Sequence, residues 1–180
     1  MRAKAIATVA AASAALAGGA TAAALAPDPA SLVVRKSDFP SSAKYNWGRL
    51  PANVEQGLAS IGVKGSGAYV SVTIPKGTAN YESINGMVLT TGSPAQAMKA
   101  YVALKADLNS SPRTAQRVAK YGDEQLAVYQ SRPGGKAQLI VRRNALVWQL
   151  EVAGGGLSKT ALLAELQKYA TKQKVRVGSG

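Results

Sequence analysis

The chain of 180 residues contains no cysteine and no histidine. Without cysteine there is no disulfide, no lipid-bearing N-terminal cysteine and no thiol catalysis. Without histidine the Ser-His-Asp triad and most zinc sites are excluded. Acidic residues are scarce as well, 9 Asp and Glu against 22 Lys and Arg, for a net charge of +13. Asp123-Glu124 is the one adjacent carboxylate pair. Neighbours in an extended segment point to opposite faces, which argues against an acid–base dyad there. No motif marks a glycosidase carboxylate pair, and calcium loops with Asp at alternate positions are absent. The Ser-Lys adjacencies at Lys36-Ser37 and Ser158-Lys159 are of a kind that chance supplies. Past the N-terminus no uninterrupted apolar run approaches the ~20 residues of a membrane span. No enzyme, no cofactor and no metal is expected.

The first stretch, MRAKAIATVAAASAALAGGATAAALAPDPA, has the three parts of a secretory signal peptide. Arg2 and Lys4 are its positive region, residues 5–17 are apolar or small, and small residues follow. Ala20 and Ala22 give a small-x-small pattern, so residues 1–22 are expected to be removed, with Ala26 as the other cleavage point. Loss of Arg2 and Lys4 leaves 20 basic against 9 acidic residues, or +11. A secreted or otherwise extracytoplasmic protein of this charge is drawn to anions such as envelope polymers and lipid head groups.

Near the other end, EVAGGGLSKTALL (151–163) has the outline of a phosphate-binding loop. The motif G-x-x-x-x-G-K-[ST] does not fit. Aligning Lys159-Thr160 with its end puts Ala153 and Ser158 where the two obligatory glycines belong. The glycines read instead as a strand-to-helix connection, with Ser158 as helix N-cap. The chain after that helix is also too short for a further strand bearing a magnesium-binding Asp.

Between these ends the chain reads as an N-terminal linker and loop segment (23–50), a single α+β domain (51–174) and a flexible tail (175–180). ANVEQGLASIG suggests a short helix capped by Asn53 and stopped by Gly62. AYVSVTIP alternates strictly, with Val70, Val72 and Ile74 on one face and Tyr69, Ser71 and Thr73 on the other. YESINGMVLTT returns as a second strand, where Gly86 marks a bulge or a close contact. SPAQAMKAYVALKADL is an amphipathic helix with Ser93 as cap and Pro94 in its first turn. QLAVYQS, AQLIVRR and ALVWQLEV are strands, the last two joined by a tight turn at Arg143-Asn144. In the last strand Val147, Gln149 and Glu151 share a mostly polar face, so one sheet face is expected to meet water or a thin cover. SKTALLAELQKYATKQK closes the fold as a helix. The expected architecture is a mostly antiparallel, curved sheet of about five to six strands, with two main helices packed on one face and a short N-terminal helix.

Two sets of residues are candidates for binding. Arg132, Lys136, Arg142, Arg143, Lys172 and Lys174 would form an anion-binding surface if they converge. The C-terminal lysines also suit a helix C-terminal dipole. Tyr45, Trp47, Tyr69 and Tyr129 are candidates for stacking against a ligand ring, or for packing under a loop.

The segments SDFP (37–40), GDEQLAVY (122–129) and LIVRRNALVWQLEV (139–152), with Gly62 before the first strand, carry a resemblance. Over residues 30–175 the chain resembles small, uncharacterised, actinobacterial-type secreted proteins and lipoproteins. More broadly it is similar to the extracellular sensor domains of bacterial serine/threonine kinases. The resemblance implies a compact α+β domain outside the membrane without enzymatic activity, and it carries over no functional residue. The chain departs from the lipoproteins and from the disulfide-bearing sensor domains in lacking cysteine. The function expected is an exported, non-enzymatic binding domain for an anionic envelope component or an envelope protein. The other reading is a structural or inhibitory interaction module that uses an exposed sheet face.

Overall fold

A computed structural model describes residues 28–76, 80–109, 112–131 and 134–178. The expected signal peptide and Arg132 lie outside them. The elements are α1 (Pro29–Leu32), a 3-10 turn (Lys36–Asp38), β1 (Lys44–Arg49), α2 (Ala52–Ser60), β2 (Gly65–Lys76) and β3 (Asn80–Thr91). Then follow α3 (Pro94–Asn109), β4 (Thr114–Gln116), β5 (Glu124–Gln130), β6 (Lys136–Arg143), β7 (Leu146–Gly154) and α4 (Lys159–Gly178). All seven strands form one antiparallel sheet in the order β1-β2-β3-β7-β6-β5-β4. The class is α+β as expected, but the described residues form seven strands. The two additional ones are the edges: β1, from the segment read as a loop, and the three-residue β4.

The local signals act as their chemistry dictates. Ser93 Oγ accepts from Gln96 N–H and Ser158 Oγ from Ala161 N–H, so both serines cap their helices. Asn144 takes a positive φ of 50° in the β6–β7 turn, and Gly62 one of 73° after α2. Asn53 does not cap α2, because the helix begins at Ala52 with Pro51 at its cap. Gly86 marks a close contact: a Cβ there would lie 2.9 Å from Leu150 and 3.0 Å from Val70.

Helices cover both sheet faces, which corrects the one-face expectation. Strand alternation sorts the core into two clusters. One holds Val70, Val72, Ile74, Ile84, Val88, Leu139, Trp148, Leu150 and Val152 beneath Leu162, Leu166, Tyr169 and Ala170 of α4. Leu32, Val33, Val34 and Phe39 from the N-terminal segment complete that cover. The other cluster packs Leu89, Val128, Ile140 and Val147 against Ala97, Ala100, Tyr101 and Leu108 of α3, with Leu58 of α2. The polar alternation of β7 concealed α3 because Val147 alone of its outward residues lies under that helix.

The segment before β1 is tied to α4. Gln173, 2 % exposed, accepts from Val34 N–H at 3.0 Å and donates to the Leu32 carbonyl. Asp38 pairs with Arg176 at 2.8 Å, and Tyr45 donates its hydroxyl to the Val34 carbonyl at 2.8 Å. The expected tail does not fray at residue 175. Helix α4 continues to Gly178, with Val177 buried in the core.

Candidate functional site

Along the α2/α3 face the residues change character halfway. On β7, Val147 is buried, whereas Gln149 and Glu151 are half-buried. On β3, Leu89 is buried, Met87 half-buried and Asn85 exposed. A helix can bury only the apolar half without stranding polar groups, and the cover of α3 stops there. Beyond it lies a cleft of about 420 Å³. Leu50, Pro51 and Val54 form one wall where β1 runs into α2. Tyr69 and Ser71 of β2, Asn85, Gly86 and Met87 of β3, and Gln149 and Glu151 of β7 form the floor. Gly48 keeps the Tyr69 ring in place from the β1 side, since a Cβ at position 48 would come within 3.1 Å of it.

Glu151 is the charged group of this cleft, and its side chain is 17 % exposed. Its carboxylate accepts from Gln138 Nε2 at 2.7 Å, Asn85 Nδ2 at 3.3 Å and Lys136 Nζ at 3.4 Å. Three donors hold the carboxylate in one orientation. The cleft therefore offers an apolar wall, an aromatic edge and a fixed acceptor. It contains no nucleophile paired with a base.

Among the described residues, which leave out Arg132, the expected basic residues do not form one surface. Lys136 and Arg143 sit at opposite ends of β6, about 23 Å apart at strand rise, and on opposite faces. Lys136 is engaged with Glu151. Arg142 lies on the α3 face, paired with Glu124 at 3.1 Å and Asp123 at 3.6 Å. Lys172 donates to the Asp38 carbonyl at 2.9 Å and stands 5.8 Å from the centre of the Tyr169 ring. Lys174 donates to the Lys120 carbonyl at 2.9 Å. Arg143 and Lys174 do meet, around a shallow depression of about 300 Å³ shared with Lys120, Tyr121, Gly122 and Asp123.

The four aromatic candidates separate too. Tyr69 lines the cleft. Tyr45 packs against Phe39, with ring centroids 6.0 Å apart, and belongs to the core. Tyr129 is on the opposite sheet face from Tyr69, half-buried beneath Lys159, whose Nζ is 5.5 Å from its ring. Trp47 stands on the edge strand, 59 % exposed. Sequence reasoning missed Leu50, Pro51, Val54, Met87 and Asn85. The signal available was the apolar-to-polar switch on the alternate face of β3 and β7.

Burial raises the pKa of Tyr45, Tyr101 and Tyr169 above the ordinary 10.0. Nearby Asp38 and Glu124 add to the effect at Tyr45 and Tyr101, respectively. None of these groups faces the cleft.

No family model and no curated protein matches the chain. Among solved structures it is similar to the extracellular domain of PknH from Mycobacterium tuberculosis. The TM-score is 0.56 at 14 % identity, over 84 % of this chain and 95 % of that one. An uncharacterised protein of Mycobacterium smegmatis aligns with TM-score 0.46 and 15 % identity, over 83 % of this chain and 97 % of that one. The fold is thus one found in an extracellular domain of an actinobacterial protein. Among the described residues no helix is long and apolar enough to cross a membrane.

Proposed function

We infer that the chain is an exported, non-enzymatic binding domain whose partner seats in the cleft on the half-open sheet face. The observation that carries this reading is the unequal cover of the sheet. The central strands are covered on the α1/α4 side, while the other side stops short and leaves Leu50, Val54, Tyr69 and Met87 around an open space. Apolar side chains left at a concave surface beside fixed polar groups are the usual make-up of a binding site. The signal-peptide pattern and the fold shared with an extracellular domain support export.

The lining also narrows the partner. Glu151 makes the cleft a poor host for an anion. A segment of an envelope protein, or an amphiphile presenting an apolar group and a hydrogen-bond donor, suits it better. A second reading keeps the anionic envelope component, bound at the depression of Lys120, Arg143 and Lys174. Two-dimensional NMR of the protein separates the two. The titrants are envelope glycopolymer, anionic liposomes and an envelope protein fraction, each at low and high salt. Shifts of Met87 and Tyr69 that persist in salt are expected. Shifts confined to Lys120, Arg143 and Lys174 that vanish in salt would favour the second reading.

A further inference from the structure

The first edge of the sheet carries another groove, separate from the cleft. β1 ends at Arg49, opposite Ala68, while β2 runs on through Gly67, Ser66 and Gly65, paired with β3 alone. Leu50 N–H reaches the Gly67 carbonyl at 3.3 Å, and beyond that contact the outer side of β2 has no strand neighbour. The space left is about 670 Å³; Asp28, Trp47, Arg49, Glu55 and Ser66 line it, with the glycines and the small apolar residues Pro29, Ala30 and Ala68.

Trp47 is the one aromatic among the exposed large hydrophobic residues described. Its strand neighbour two residues back, Tyr45, is held by the core. Trp47 is therefore presented on a rigid edge. An indole set in a polar groove offers one flat apolar plate. Around it stand the Arg49 guanidinium and the Glu55 carboxylate, which donate and accept, with Asp28, whose Oδ1 caps α1, and Ser66, whose hydroxyl meets Thr90 Oγ1 at 2.9 Å. A pyranose ring matches this pattern. Its C–H face lies on the indole, and its rim of hydroxyls exchanges hydrogen bonds with the planar polar groups. Gly65 and Gly67 are set by packing on the far side of the strand, where a Cβ would meet the Thr90 carbonyl and Leu50, respectively. The side chains around the groove carry two negative charges and one positive, which does not favour a polyanion. A peptide strand in the place vacated by β1 is disfavoured because that stretch of β2 spans three residues, fewer than the ~5–6 of an ordinary strand.

We propose that the Trp47 groove is a binding site for a neutral saccharide. The full chain is titrated with chitobiose, cellobiose and maltose while tryptophan emission is followed. Trp148 is fully buried, so the change reports Trp47. A saturable blue shift is expected with at least one disaccharide, equal at low and high salt. Calorimetry then reads the variants. Trp47→Ala abolishes binding, and Arg49→Ala and Glu55→Gln each weaken it about tenfold, a change of ~1.4 kcal/mol. The thermal midpoint of all three stays at the wild-type value. No emission change with any of the three sugars, or binding that survives Trp47→Ala, overturns the proposal.

Discussion

The two faces of the sheet are made by alternate residues of the same strands, yet one is sealed over its central strands and the other over half that extent. On the α1/α4 face apolar residues fill the middle of β2, β3 and β7, Val70 to Ile74, Ile84 to Val88 and Trp148 to Val152, with Glu82 and Thr90 buried at the two ends of the β3 run. On the α2/α3 face β7 passes from Val147 to Gln149 and Glu151, and the apolar cluster ends with it. Cover follows apolar continuity, because a helix laid over Glu151 and Asn85 would remove their polar groups from water. Stability is concentrated on the first face and the open surface on the second. Substitutions should divide the same way.

The largest effect belongs to the sealed face. Trp148 is fully buried there and meets Tyr121 edge-on at 6.1 Å. Trp148→Ala should cost about 3–5 kcal/mol in urea unfolding. A loss below ~1 kcal/mol would mean that this face is not the main core. Next comes Gln173→Ala, which strands the Val34 N–H and the Leu32 carbonyl. About 2–4 kcal/mol is expected for two buried groups left unpaired, together with faster proteolysis of the N-terminal segment. Unchanged proteolysis would break the link between that segment and α4.

Alkaline pH sharpens the comparison in another way. Tyr45, Tyr101 and Tyr169 have raised pKa values in the folded chain, so folding favours their neutral form. Their contribution is complete below pH 10 and is lost as pH rises through the folded values. Lys168, raised chiefly by its hydrogen bond to Glu165, acts in the same direction. Urea midpoints should hold level from pH 7 to about pH 9.5 and fall above pH 10. A midpoint that rises there would contradict the burial of these phenols. Asp38→Asn weakens the pairs with Arg176 and Lys172 and should cost about 1 kcal/mol, less in high salt. The smallest effect falls on the open surfaces. Trp47→Ala should shift stability by no more than ~0.5 kcal/mol. An equal loss at Trp47 and Trp148 would show that the edge aromatic belongs to the core.

Much of the sealed face was legible in the sequence. β2 alternates from Ala68 to Ile74, Asn144 marks the β6–β7 hairpin, and Ser93 and Ser158 stand before strongly periodic helices. The edges were not legible for a physical reason. In β1 the side chains of Lys44, Asn46, Trp47 and Arg49 are exposed, so no apolar alternation marks the strand. Its place is set by hydrogen bonds to β2 and by the Tyr45 hydroxyl. The end of α4 was missed because Val-Arg-Val-Gly resembles a frayed tail. Val177 reaches the core and Arg176 meets Asp38, both over long sequence separations. The cleft was half legible: the polar switch in β7 was visible, but the wall supplied by Leu50, Pro51 and Val54 arises from tertiary placement of α2. The anion surface expected from six basic residues assumed convergence. Lys136, Arg142 and Lys172 instead hold acidic partners that the sequence places far away.

The most direct test of the cleft uses the absence of cysteine. Ser71→Cys puts a single thiol in the cleft, and Thr171→Cys puts one on the exposed back of α4. Each variant carries an environment-sensitive dye and is titrated with envelope glycopolymer, anionic liposomes and an envelope protein fraction. A saturable response at position 71 to one of these is predicted, retained at about 1 M salt, where the Debye length is ~3 Å, with no response at position 171. Equal responses at both positions, or a response at position 71 that vanishes in salt, would contradict a partner seated on the half-open face.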